Sequence, residues 1–244
     1  MFAGLVITVD SALPVPLGST RLARLPLPAI LAVFAPILLT QLVGVLLRPQ
    51  MKSLAAFPMF PFLVYAFCNW IVIAVGYVLL RRHGITWLDI GFRNFRPSDF
   101  IYALGATLLE LFAIYPVAML VAALLGLEEM TGMSYSLTTP INVVNAILFP
   151  VLLVPLTEDI IFRGFLLSVL CQRIRSLWLV GFVGVLMFAI IHVPYFGWTG
   201  AIFLLLWIPL SVLLFFGRES IYPPYVMHVL NNLFAYVAVP LLFR

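Results

Sequence analysis

Charge is what this chain has least of. Its 13 Lys and Arg and 9 Asp and Glu amount to 9% of 244 residues, against 64% hydrophobic residues and a mean hydropathy of +1.19. A soluble domain of this size cannot cover its surface with so few charges. Cysteine is scarce too. Cys68 and Cys171 form no C-x-x-C pair, which leaves neither a disulfide framework nor a cysteine metal site. There is no secretory leader of ordinary form, because residues 1–20 lack a basic start and contain Asp10 and two prolines. The first apolar span is therefore expected to direct insertion. No polar linker divides the chain, so one domain is expected. No internal repeat is evident, which argues against a transporter. The apolar runs do not alternate, which excludes a membrane β-barrel. The net charge of +4 reads as loop arginine facing anionic lipid, with no nucleic-acid partner.

What the chain does have is apolar runs of about 20 residues, the length of a membrane-crossing helix. They fall at about 27–47, 58–80, 100–126, 141–170, 177–193, 200–216 and 221–242. The expected fold class is all-α: a polytopic transmembrane helix bundle of about seven spans. Residues 1–25 form an N-terminal tail and 26–244 a single transmembrane domain. With seven spans, Arg21, Arg24, Arg81, Arg82, Arg93, Arg96, Arg173, Arg175 and Arg218 share one side, and Arg48, Lys52 and Arg244 the other. Lys and Arg concentrate on the cytoplasmic side, so the N-terminus is expected in the cytoplasm. A break at Pro150 or Pro155 would split the long fourth span and change that count.

Against this background Thr157-Glu158-Asp159-Ile160-Ile161-Phe162-Arg163 is exceptional. It puts three charges into a run that is otherwise apolar from Ile141 to Leu170. Each costs roughly 2.5–3.5 kcal/mol at the centre of a membrane helix. Asp159 and Arg163 are four apart and can pair on one helix face. Glu158 points about 140° away from Arg163 and needs a partner from another helix, a water or a proton. The late spans carry two more polar pairs at helical spacing, Phe188 with His192 and His228 with Asn232. His83 lies beside two arginines and reads as a solvated loop residue. Glu110, in the third span, reads first as a carboxyl bonded to a neighbouring helix. Trp178, Tyr195 and Trp198 read as interface aromatics.

Taken singly, a membrane histidine or asparagine can simply bond a neighbouring helix, at about 0.6 kcal/mol on average. Taken together, a carboxylate, two imidazoles and an amide on three late spans form a set that can do water chemistry. Three motifs in order, E-E-x-x-x-R, F-x-x-x-H and H-x-x-x-N, resemble those of the CAAX-protease and bacteriocin-processing (CPBP, or Abi) family of membrane proteases. They read here as Glu158 to Arg163, Phe188 to His192, and His228 to Asn232. The resemblance covers about residues 141–240, and Trp87-Leu88-Asp89-Ile90-Gly91-Phe92 is similar to the family's lead-in. One departure is Asp159, where the family has Glu; the shorter acid still carries the charge that pairs with Arg163.

The resemblance implies an intramembrane endopeptidase acting near the C-terminus of a membrane-associated substrate, with the lipid bilayer as its medium. That substrate would be a prenylated CAAX protein, a peptide or a sorting tail. By similarity, Glu158 and His192 activate the attacking water and His228 and Asn232 receive the oxyanion. Asp159, Arg163 and Phe188 support them. No cofactor is expected. A zinc bound by Glu158, His192 and His228 is disfavoured, because the sequence identifies no acceptor for the second ring nitrogen of either histidine and Glu158 as a ligand would leave no base. The expected location is the membrane of a prokaryotic cell. The alternative is a non-enzymatic immunity or scaffold protein of the same fold. H-E-x-x-H, G-x-S-G and paired G-x-G-D motifs are absent.

One conflict arises from the expected span ends. Straight spans would put Glu158 deep from one face and His192 near the far end of its helix, where they could not meet.

Overall fold

The computed structural model describes residues 20–36, 38, 42, 46, 60–128, 130 and 137–242. It is 85% helical with no strand among the described residues, as expected for backbone groups that must satisfy themselves in lipid. Six helices organise it: α1 Leu27–Pro36, α2 Phe60–Arg82, α3 Pro97–Leu124, α4 Pro140–Cys171, α5 Leu177–Arg218 and α6 Tyr222–Leu242. Four of these, α3 to α6, are long and apolar enough to cross a membrane.

Local signals set their starts. Thr139 caps α4 by accepting the Asn142 N–H, and Pro140 follows at the first helical position. Ser176 caps α5 through the Leu179 N–H at 3.3 Å. At the start of α3, Asp99 accepts the Arg96 N–H at 2.9 Å. It also takes the Arg218 Nε–H at 2.8 Å, tying this end to the end of α5. Arg48, Lys52, Arg244 and residues 1–19 of the expected tail lie outside the described residues. Thr20–Ala23 is a helical turn, and Leu22 and Leu25 are buried.

Helix α5 has 42 residues, about 63 Å if straight and twice the thickness of a bilayer's hydrocarbon core. It is not straight. Gly197 sits at φ 69°, ψ −172°, a conformation open to glycine alone. There the chain doubles back. A Cβ on Gly181 would lie 3.3 Å from Val212, and the Phe188 and Trp207 rings are 6.4 Å apart. The two expected spans at 177–193 and 200–216 are the arms of this hairpin. The turn is made by Gly197, while Pro194 stays inside the first arm.

Helix α4 runs unbroken through Pro150 and Pro155. Pro150 lies inside a π-helical stretch, Ile147–Leu153, and Pro155 at the start of the α-helical turn that follows it; a second π-helical stretch spans Ile160–Leu167. Such turns accommodate a lost N–H without ending the helix. The long fourth span is therefore one helix and not two.

Across the short turn between α4 and α5, contacts step outward in pairs. Leu167 meets Gly184, Arg163 meets Phe188, and Glu158 meets His192. Glu158 and His192 lie at similar distances from that turn, so they share a depth. The expected conflict came from ending the first arm at 193; it continues to the Gly197 turn.

On the other side, α3 runs antiparallel to the second arm of α5. Asp99 pairs with Arg218, Glu110 with Trp207, and Tyr115 with Phe203. Helices α2 and α6 both pack on α4, and Phe34 of α1 lies against its Phe162 and Phe165. The best apolar windows of α4 and α5 are 39% and 50% buried, against 22% in α3 and α6. The first two polar motifs thus sit on the two most enclosed helices, and the third, on α6, faces them.

The segment Trp87–Ile90, a single tight turn, docks against this core. The Ile221 N–H donates to the Gly91 carbonyl at 2.9 Å. Ile90 packs so close to α4 that a Cβ on Gly164 would stand 2.8 Å from the Ile90 carbonyl oxygen. That atom is backbone and cannot swing away. Gly164→Ala is expected to cost about 1–3 kcal/mol, as overpacking does, read as a lower Tm in detergent micelles. Gly184→Ala, where the neighbour is a methyl at the end of the Leu167 side chain and not backbone, should cost less. An unchanged Tm for Gly164→Ala would show that the segment docks less tightly.

Candidate active site

Glu158, at 9% exposure, faces two imidazoles. Its Oε1 is 3.5 Å from His192 Nε2, and its Oε2 is 3.8 Å from His228 Nε2. The carboxylate with no partner on its own helix thus finds two on neighbouring ones. Both rings use their other nitrogen elsewhere. His192 Nδ1 donates to the Phe188 carbonyl at 2.7 Å, one helical turn back. His228 Nδ1 donates to Asp159 Oδ2 at 3.3 Å. Each histidine therefore has an acceptor behind it that fixes ring and tautomer, which the sequence had not identified for either.

The supporting residues form a second cluster. Arg163 Nη1 is 3.1 Å from Asp159 Oδ1, with both side chains essentially inaccessible. Arg163 Nε donates to Ser211 Oγ at 2.9 Å, and the guanidinium lies over the Phe188 ring, 4.4 Å from its centroid. The ion pair departs from linear hydrogen-bond geometry, and neither Nη atom has a hydrogen-bond acceptor. The aromatic face is therefore a substantial part of what this cation has in place of water. Phe188 also stacks on His192, centroids 4.4 Å apart at 24°. The F-x-x-x-H spacing thus gives His192 both its carbonyl acceptor and its stacking surface.

Asn232 is placed differently from the other three. It lies one turn beyond His228 on α6, and its Nδ2 donates to the Pro150 carbonyl at 2.7 Å. In the π-register of this stretch the Val154 N–H bonds the Phe149 carbonyl. The next donor in that register, to Pro150, would be residue 155, a proline without an N–H. Pro155 frees the carbonyl that Asn232 takes. Asn231 in turn donates to Asn232 Oδ1 at 3.0 Å. One N–H of the Asn232 amide is engaged and one is left.

Ser211 and Trp207 were not singled out from the sequence. They sit four apart on one face of the second α5 arm, and that polar-aromatic pair in an apolar helix was the available signal. Trp207 packs edge-on to His228, centroids 5.0 Å apart, and its Nε1 donates to Glu110 Oε2 at 2.7 Å. Glu110 is thus bonded to a neighbouring helix. His83 is exposed, as are Trp178 and Trp198.

Residues 140–234 match the family model described as Type II CAAX prenyl endopeptidase Rce1-like. No curated protein and no solved structure matches the chain. The matched region runs from the first residue of α4 to the first π-helical residues of α6, so it holds all three motifs and both imidazoles facing Glu158. Through this four-arm core the chain is similar to the type II CAAX prenyl endopeptidases that the family model describes.

Proposed function

We propose that this protein hydrolyses a peptide bond near the C-terminus of a membrane-associated substrate, a prenylated CAAX protein, peptide or sorting tail, by glutamate-driven water attack. One observation carries the reading: a nearly buried carboxylate held between two imidazole Nε2 atoms, at 3.5 and 3.8 Å. A water can bridge groups at such separations. Glu158 takes one water proton while the oxygen adds to the scissile carbonyl carbon, and the carbonyl electron pair moves onto oxygen. His192, locked by Phe188, orients the water. His228 in its imidazolium form and the remaining N–H of Asn232 donate to the oxyanion, the largest stabilising effect in most acyl-transfer sites. The proton on Glu158 then passes to the leaving nitrogen as the C–N bond breaks, which restores the carboxylate.

The test is cleavage by purified protein in liposomes, with farnesylated and unmodified peptides of one sequence compared by mass spectrometry. Release of a C-terminal fragment from the anchored peptide is the expected result. Failure on every membrane-anchored peptide would favour the non-enzymatic alternative.

Zinc is the competing chemistry for the same residues. The acceptors behind His192 and His228 are what a zinc site uses, yet no group of three His, Cys, Asp or Glu among the described residues is disposed to hold a metal. The metal-free reading is preferred because it keeps Glu158 as the base. Exhaustive chelation is therefore expected to leave activity intact, with no stoichiometric zinc by elemental analysis. Activity lost on chelation and restored by zinc alone would make the metal reading correct.

The arginine-rich end of the bundle belongs in the cytoplasm under this proposal. The contacts Arg173 to the Leu25 carbonyl, Arg93 to Glu219 and Arg218 to Asp99 gather there. With Cys68 and Cys171 replaced by Ala, a cysteine at exposed position Arg175 should react with an impermeant maleimide only after cells are opened. Labelling of intact cells would reverse the orientation.

A further inference from the structure

We infer that Glu110 and Trp207 form a positioning pair for His228, so that α3, outside the segment matching the family, is part of the catalytic apparatus. The inference rests on the glutamate-driven reading above. Both residues are 1% exposed. The indole meets the His228 ring at 5.0 Å and 69°, the edge-to-face arrangement that fixes one ring plane against another. The same indole lies beside the other supporting groups: the Arg163 guanidinium is 5.9 Å from its ring, and the Phe188 centroid is 6.4 Å away. Trp207 thus borders motif residues of α4, α5 and α6.

A tryptophan can fill such a space in more than one rotation about its side-chain bonds. What selects one is its N–H, a donor only, which must find an acceptor when buried. Here the acceptor is Glu110 Oε2 at 2.7 Å, at the start of the π-helical turn Glu110–Ile114. Glu110 fixes the indole, the indole fixes the plane of His228, and Asp159 fixes its Nδ1. Together they aim Nε2 at the reacting centre. Loss of aim of about 1 Å at such a group costs up to about 10²-fold in rate.

The experiment separates acceptor, donor and fold. Glu110→Gln keeps an oxygen for the indole; Glu110→Leu removes it; Trp207→Phe removes the donor and keeps a ring against His228. With the liposome assay run on wild type and Glu158→Gln in parallel, Glu110→Gln should hold kcat within about threefold. Glu110→Leu and Trp207→Phe should each lower kcat about tenfold or more with KM little changed. The double variant Glu110→Leu/Trp207→Phe leaves no orphaned polar group, so it should fold, and it should be no slower than either single change. Wild-type kcat in Glu110→Leu, in Trp207→Phe or in the folded double variant overturns the pairing, as does a double variant whose loss is the product of the two. Activity retained by Glu158→Gln instead overturns the glutamate mechanism and says nothing about the pair.

Discussion

Glu158→Gln is expected to abolish cleavage, with kcat down about 10³-fold or more, and to leave a folded, extractable protein. Gln has nearly the shape of Glu, so packing between the imidazoles of His192 and His228 is kept. What it loses is the ability to take a proton from water, and general-base catalysis is worth roughly 10²–10⁴-fold. Glu158→Asp gives a graded control. It keeps the base but draws the carboxylate back by one methylene from a His192 contact already at 3.5 Å, and should lose about 10²-fold through misplacement. Steady-state cleavage in liposomes, with thermal unfolding in detergent alongside, checks both. A Glu158→Gln enzyme working at more than about a tenth of the wild-type rate would remove glutamate from the proton-transfer role.

The second large effect falls on stability. Asp159→Ala should destabilise the protein by about 3–5 kcal/mol, the usual consequence of stranding one member of a buried pair. Asp159 is fully buried and serves two partners, Arg163 through Oδ1 and His228 through Oδ2. Its removal leaves Arg163 with the Ser211 hydroxyl and the Phe188 ring, too little for a cation in a dry interior. Loss of extractable protein and a collapsed Tm are expected. Asp159→Leu/Arg163→Met removes both charges, and apolar replacement of a whole buried pair is often neutral or better. This double variant should recover folded protein yet stay inactive, because His228 has lost the acceptor for its Nδ1–H. A stable Asp159→Ala that is merely slow would show the pair to be unnecessary for the fold and assign Asp159 to the chemistry.

The residues of the candidate site were legible in the sequence because helical pitch alone decides which neighbours on one helix share a face. Asp159 with Arg163 and Phe188 with His192 are both four apart, and the helix turned those spacings into an ion pair and a stacked, hydrogen-bonded pair. The apolar runs likewise announced the spans, since their length matches the bilayer. Asn232 shows where this stops. Its spacing from His228 put both on one face of α6, but its amide turns to the Pro150 carbonyl, an acceptor that exists only because a π-turn meets Pro155.

Register between helices was a matter for the tertiary structure. Glu158 and His192 meet because the α4–α5 turn is short and the first α5 arm runs on to Gly197. A few residues' error at one span end was enough to separate them on paper. The contacts of Ser211 with Arg163 and of Trp207 with Glu110 and His228 join residues 48, 97 and about 20 positions apart, distances over which no local periodicity acts. Helix pitch is a property of the backbone and repeats wherever a helix forms. Which faces of two helices meet, and at what depth, depends on turn length, on glycines such as Gly181 and Gly184 that let helices close on one another, and on the packing of the whole bundle.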